Sequence, residues 1–172
     1  AAHDPVAETS RLTSPPGSAP VLVVDRAGWS AANIDSMREL MDPVVAKITA
    51  GMPSQPTPGV ASMGGKVTGA ETGALLAFMA SKVLGQYDLA PSGQPRLLLV
   101  APNIVQAERD MGVSPRDFRL WVAMHEETHR VQFTAVPWLR EHMIERTRTL
   151  AVELAPTPTE LAERLQQIVQ RL

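Results

Sequence analysis

The stretch Ser114–Phe133, SPRDFRLWVAMHEETHRVQF, sets His125, Glu126 and His129 in the spacing HExxH. It reads as a helix. Ser114 is a good N-cap residue, Pro115 suits the first helical position, and Asp117 lies near the positive end of the helix dipole. No proline or glycine interrupts the run until Pro137. Residues four apart on a helix lie one turn apart on the same face. His125 and His129 therefore point the same way, at a separation two imidazoles can span around one metal ion. Glu126 lies about 100° around the axis, beside such an ion rather than on it. Zinc takes imidazole nitrogens into a tetrahedral set and lowers the pKa of a bound water to about 7. A carboxylate placed like Glu126 can take that water's proton. The pattern thus assigns His125 and His129 as Zn2+ ligands and Glu126 as the general base. The competing reading is a helix that carries two histidines by chance. Phe118 and Val122 share the histidine face, and Leu120, Met124 and Val131 lie opposite, a pattern expected of a helix buried all round. Buried histidines beside a buried glutamate need partners, which a metal and its water would supply.

A longer run, LLLVAPNIVQAERDMGVSPRDFRLWVAMHEETHRVQFTAVPWLREH (Leu97–His142), resembles a zincin-like hydrolase family of actinobacteria. That family is uncharacterised and associated with deazaflavin coenzyme biosynthesis. Two upstream runs are similar to it as well, APVLVVDRAGW (Ala19–Trp29) and GAETGALLAFMASKVLGQYD (Gly69–Asp88). The resemblance implies a zincin-type fold and a zinc peptidase or hydrolase, with His125 and His129 as ligands and Glu126 as base. It supplies no substrate. Family members are longer, with a later helix whose EGHA-like run offers a third ligand; no such run occurs up to Leu172.

At 172 residues the chain is long enough for one domain with a real core. Hydrophobic residues make up 44% and charged residues 20%, ordinary for a globular protein. A net charge of −2 gives no polyanion-binding surface, so no nucleic-acid partner is expected. There is no cysteine, which removes disulfides, thiolate ligands and cysteine nucleophiles. No apolar run approaches the ~18–20 residues of a membrane helix, and no signal peptide is visible. The expectation is a cytoplasmic protein with no membrane partner. A chain that starts Ala-Ala rather than Met reads as processed or as part of a longer protein. Composition says nothing of the oligomeric state.

Residues 1–20 are rich in Pro, Ser, Thr and Ala and read as a disordered or extended lead-in; residues 21–172 read as the zincin-like domain. Val21–Asp25, VLVVD, reads as a buried strand. A helix follows from about Ser30, with Pro43 expected to kink or restart it. Gly51–Gly65 reads as a loop. Lys66–Leu84 reads as a helix whose small residues allow tight packing. Gly85–Asp88, GQYD, reads as a turn. Tyr87, the only tyrosine, is either an amphipathic turn residue or an oxyanion stabiliser near the metal.

Arg96–Ala101, RLLLVA, is the strongest strand pattern and the natural candidate for an edge strand beside the metal helix. With VLVVD as its only companion the sheet would be marginal. Asn103–Met111 reads as a short helix closed by Gly112. Pro137 opens another helix to about Leu154, which carries His142 and Glu153 as candidate third ligands; for each, a solvated charge is the plainer reading. Thr157–Glu160 forms a capping-box pattern before a last amphipathic helix. The whole predicts an α+β, mainly helical zincin-like domain with a small sheet and a central HExxH helix. The function expected is a zinc-dependent metallohydrolase in which Glu126 activates a zinc-bound water against a peptide or small amide. The alternative is a catalytically silent structural or interaction module with an incomplete metal site.

Overall fold

The computed structural model describes residues 2–15, 17–49, 73–157, 159, 160, 163, 166 and 167. The loop expected over 51–65, the first part of the helix expected from Lys66, and the apolar positions Leu161, Leu165, Ile168 and Leu172 of the last amphipathic helix lie outside the described residues. The elements are α1 (His3–Ser10), β1 (Val21–Val24), α2 (Arg26–Thr49), α3 (73–80), β2 (Gly85–Asp88), β3 (Arg96–Val100), α4 (Ala101–Met111), α5 (Pro115–Ala135) and α6 (Pro137–Leu154). This is an α+β fold dominated by helices, as the sequence predicts.

Among the described residues the sheet has three strands in the order β1-β3-β2. β3 is its centre, because RLLLV is the run apolar enough to be covered on both faces. Leu97, Leu98 and Val100 are buried. Leu98 and Val100 point to one face, where they pack with Trp29 and Ala32 of α2 and Leu76 and Ala80 of α3. β1 pairs with β3 in parallel, Val21 opposite Leu97. β2 pairs with it antiparallel, Gly85 opposite Leu99.

Four expectations need correction. The lead-in over residues 1–20 is not wholly extended: His3–Ser10 is helical and closes on Arg11 in the left-handed region. GQYD is a strand, not a turn. It supplies the third strand, and it displaces β3 from the edge position expected of it. β1 is the opposite edge, and its valines are not buried; Val23 is 69% exposed. Outside these four, α2 runs through Pro43 as one helix.

β2 escaped recognition because its side chains are not strand-like in composition. Its two faces are nonetheless clearly different. Gln86 and Asp88 turn to α2. Trp29 Nε1–H donates to Gln86 Oε1 (2.7 Å), and the Gln86 and Asn33 amides exchange hydrogen bonds (3.3 and 3.0 Å). Asp88 is buried and accepts from the Ser36 hydroxyl (2.8 Å), the Ala90 N–H (3.1 Å) and Arg96 Nε (2.8 Å). Gly85 and Tyr87 turn the other way, toward α5. Burying polar groups is tolerated only when each finds a partner, and these do.

α5 is tied in at its start through Glu108 of α4, a buried carboxylate that accepts two bonds from Arg119, 2.8 Å from Nε and 2.6 Å from Nη2. These hydrogen bonds hold the Glu108 carboxyl below the usual carboxylate range, against the opposing effect of desolvation.

Asp88→Ala strips three donors of their acceptor and leaves Arg96 without its carboxylate. The expected loss of stability is about 3 kcal/mol, measured by urea unfolding at neutral pH. The Glu108 pairing gives a second expectation. A carboxyl whose folded pKa is depressed contributes stability above its unfolded pKa and loses it as pH falls through the folded value. Stability of the native chain should therefore decline below about pH 4.3. In Glu108→Gln that part of the acid decline should vanish; equal slopes for the two proteins would contradict the pairing.

Candidate metal and catalytic site

α5 begins as the sequence suggests, with Pro115 in the first turn, although Ser114 makes no side-chain cap bond. Its first backbone bond runs from the Phe118 N–H to the Ser114 carbonyl (3.0 Å). The helix then passes HExxH without a break. Its burial is one-sided, which corrects the expectation of a helix covered all round. Val122, Glu126, Glu127 and Val131 are buried. His125 lies on the exposed face and His129 is half-buried.

The two imidazoles come together as the four-residue spacing requires. Their ring centroids are 5.0 Å apart and the rings stand at 86°. Trp121, 58% exposed, stacks on His125 at 5.8 Å, and Phe118 stacks on Trp121 at 6.0 Å. An aromatic ledge thus runs along the open face of α5 into the histidine pair. Beside it, an open groove of about 350 Å3 is lined by Pro5 and Val6 of α1 and by Trp121, Met124 and His125 of α5.

Glu126 lies on the covered side of the histidines, only 4% exposed, against β2 at Gly85. Burial pushes its carboxyl above the ordinary range, and the nearby His125 and His129 pull it partly back. Its Oε2 is buried and has no hydrogen-bond partner among the described residues. A native fold rarely leaves such an atom unused.

Glu127 has the opposite fate. It is buried too, but His3 Nδ1 lies 2.8 Å from its Oε1 and Arg130 Nη2 lies 2.7 Å from its Oε2. Burial pushes its carboxyl up, and these hydrogen bonds outweigh that and hold it below the ordinary range. Through His3, the N-terminal helix is fastened to the motif helix. Adjacent glutamates in one helix therefore take different roles. Glu127 is held in an ion pair, and Glu126 Oε2 has no partner among the described residues.

Tyr87 stacks flat on Phe133, with centroids 5.1 Å apart and planes 4° from parallel. Burial raises its phenol pKa, against the lowering influence of Arg140 and Arg130. His142 packs edge-on against Trp138 at 5.6 Å, and Glu153 is exposed near the end of α6. Neither joins the histidine pair: among the described residues no three His, Asp, Glu or Cys side chains gather as a ligand set. Sequence reasoning missed His3 and Gly85. The only signals were a histidine in a short polar segment and a glycine in a run that looks like a turn.

A family model described as zincin-like metallopeptidase matches residues 1–171. The chain belongs to the zincin-like metallopeptidase family. It is also similar to a solved structure, described as "a putative hydrolase with a novel fold", from Chloroflexus aurantiacus. The identity is 31% and the TM-score 0.67, over 96% of this chain and 51% of that one. The zincin-like chain thus spans about half the length of that protein. No curated protein matches it.

Membership of this family implies a zinc ion. The donor chemistry fits: two converging imidazoles are typical zinc ligands, and an unpartnered buried carboxylate oxygen stands beside them. His125 and His129 would supply two protein ligands, one short of the usual three, and no third joins them among the described residues. The expected outcome is that His125→Ala and His129→Ala each lower zinc uptake, measured by equilibrium dialysis against limiting zinc. Glu126→Gln should leave uptake close to that of the native chain. Equal uptake by all four proteins would mean the metal sits elsewhere.

Proposed function

We propose that this chain carries the metal-binding helix and the general base of a zinc-dependent hydrolase acting on peptide or small amide bonds. The observation that carries the reading is the position of Glu126: buried, unpaired at Oε2, and adjacent to the two convergent imidazoles. Family membership and the hydrolase neighbour support the broader class.

His125 and His129 would hold the zinc ion, with a further ligand from outside the described residues. When bound there, zinc would supply Lewis-acid polarisation of a water and of the scissile carbonyl. The remaining work falls to the chain. Glu126 takes the proton from the attacking water and later returns it to the leaving amine. A base is most effective when its pKa lies near the working pH, and burial shifts the Glu126 carboxyl in that direction. The His3–Glu127–Arg130 cluster fixes the helix that carries both ligands and base. The ledge of Phe118 and Trp121 gives an apolar approach for a substrate chain. A narrower form of the reading, a small amide of deazaflavin coenzyme chemistry, has only the sequence resemblance behind it.

One observation favours a second reading. No third ligand joins the pair among the described residues, as in a structural or interaction module with an incomplete metal site. The test is Glu126→Gln, assayed on a panel of peptides and small amides in the presence of zinc. A general base contributes about 10²–10⁴-fold, so turnover should fall by that order with zinc still bound. Turnover unchanged by the substitution would remove Glu126 from the chemistry. A native protein inert toward the whole panel would favour the silent module.

A further inference from the structure

We propose that Gly85 is a positioning residue for the hydrolysis: its missing side chain is the space in which β2 receives the Glu126 carboxylate. The inference rests on the hydrolase reading for its function and on geometry alone for its structure.

A Cβ built on Gly85 would fall 2.5 Å from Glu126 Cδ, 2.5 Å from its Oε1 and 2.6 Å from its Cγ. Non-bonded carbon atoms rest at about 3.5–4.0 Å. Any other residue would occupy the place of the carboxylate. Nothing else in the backbone asks for glycine here. The described glycines with positive φ are Gly17 and Gly112, and Gly85 is not among them. Glycine weakens a strand, and inside one it often marks a close approach. In β2 the approaching group is the carboxylate.

The geometry also says which partner would yield to a Cβ. β2 is held on three sides. It pairs with β3, Gly85 opposite Leu99, and the Val100 N–H donates to the Leu84 carbonyl (2.8 Å). On the α2 side Gln86 and Asp88 hold Trp29, Asn33 and Ser36. On the α5 side Tyr87 stacks on Phe133. Glu126 is tied by far less: it has flexible torsions, and Oε2 has no partner among the described residues. The carboxylate would swing away and the strand would stay. The three nearest atoms a Cβ on Gly85 would meet all belong to Glu126 and none to His125 or His129, so the imidazoles would keep their arrangement. A methyl group at position 85 should therefore displace the base and leave the ligands in place.

The experiment compares Gly85→Ala, Glu126→Gln and the double variant on the same substrate, beside zinc affinity by competition with a chromophoric chelator. The expected result is a kcat reduced about 100-fold or more by Gly85→Ala, with KM and zinc affinity close to native. On the Glu126→Gln background the glycine substitution should cost nothing further, because the base is already lost. A native kcat in Gly85→Ala would overturn the proposal. So would a zinc affinity that falls together with kcat, which would mean that the whole site had shifted.

Thermal unfolding of the zinc-free proteins gives an independent readout. Gly85→Ala should lower Tm in the native background and leave it unchanged in Glu126→Ala, where the colliding atoms are gone. The same loss in both backgrounds would place the requirement in the strand and not in the carboxylate. If Gly85→Ala does not fold, a folded Gly85→Ala/Glu126→Ala protein upholds the contact and an unfolded one overturns it. If the native protein hydrolyses nothing, the hydrolase reading fails, and the thermal cycle still decides whether Gly85 seats the carboxylate.

Discussion

The structure depends on accommodating one unpaired carboxylate inside the fold. Removing an ionised carboxyl from water costs several kcal/mol even after relaxation, and Glu126 recovers little of this through hydrogen bonds. A fold selected for stability alone would place an aliphatic side chain there, as at Val122 and Val131 on the same helix. The chain instead keeps the acid and raises its proton affinity by burial. Burial of this kind, beside two imidazoles, is the physical basis of the general-base proposal.

Well-made polar interactions surround the buried Glu126. The next residue, Glu127, is buried at the same level and is fully paired by His3 and Arg130. Glu108 receives a bidentate arginine from the first turns of α5. Arg140 at the start of α6 donates to the carbonyls of Leu89, Ala90 and Gly93, which holds the loop between β2 and β3. The Glu127 and Glu108 contacts set the rotation of α5 about its axis. Once that rotation is fixed, the histidines face outward and the acid faces β2. A polar network of this kind selects an orientation more than it adds stability.

β2 shows how little a strand needs to say in its sequence. GQYD has one aromatic residue and no β-branched residue, and it is flanked by glycine and acid. Only the alternation of its environment reveals it. Gln86 and Asp88 have partners waiting on α2, and Gly85 and Tyr87 meet α5. Those partners lie ~50 residues earlier and ~40 later in the chain, beyond the reach of any local propensity. α1 is similar. Its eight residues would be marginal as an isolated helix, and contact with α5 stabilises them. β1 errs in the other direction: four apolar residues that read as buried form an exposed edge.

By itself the sequence determined the motif helix, its start at Pro115, the strand RLLLV though not its central place, the helix from Pro137 and the pairing of His125 with His129. These follow from local rules, because helical periodicity and apolar runs act over a few residues. The tertiary structure alone decided that GQYD completes the sheet, that α1 closes on α5, and that beside the buried Glu126 His125 is exposed and His129 only half-buried. Each of those outcomes depends on where distant segments meet. Burial and the fit of a carboxylate into the space left by a glycine are properties of that meeting, and no single segment encodes them.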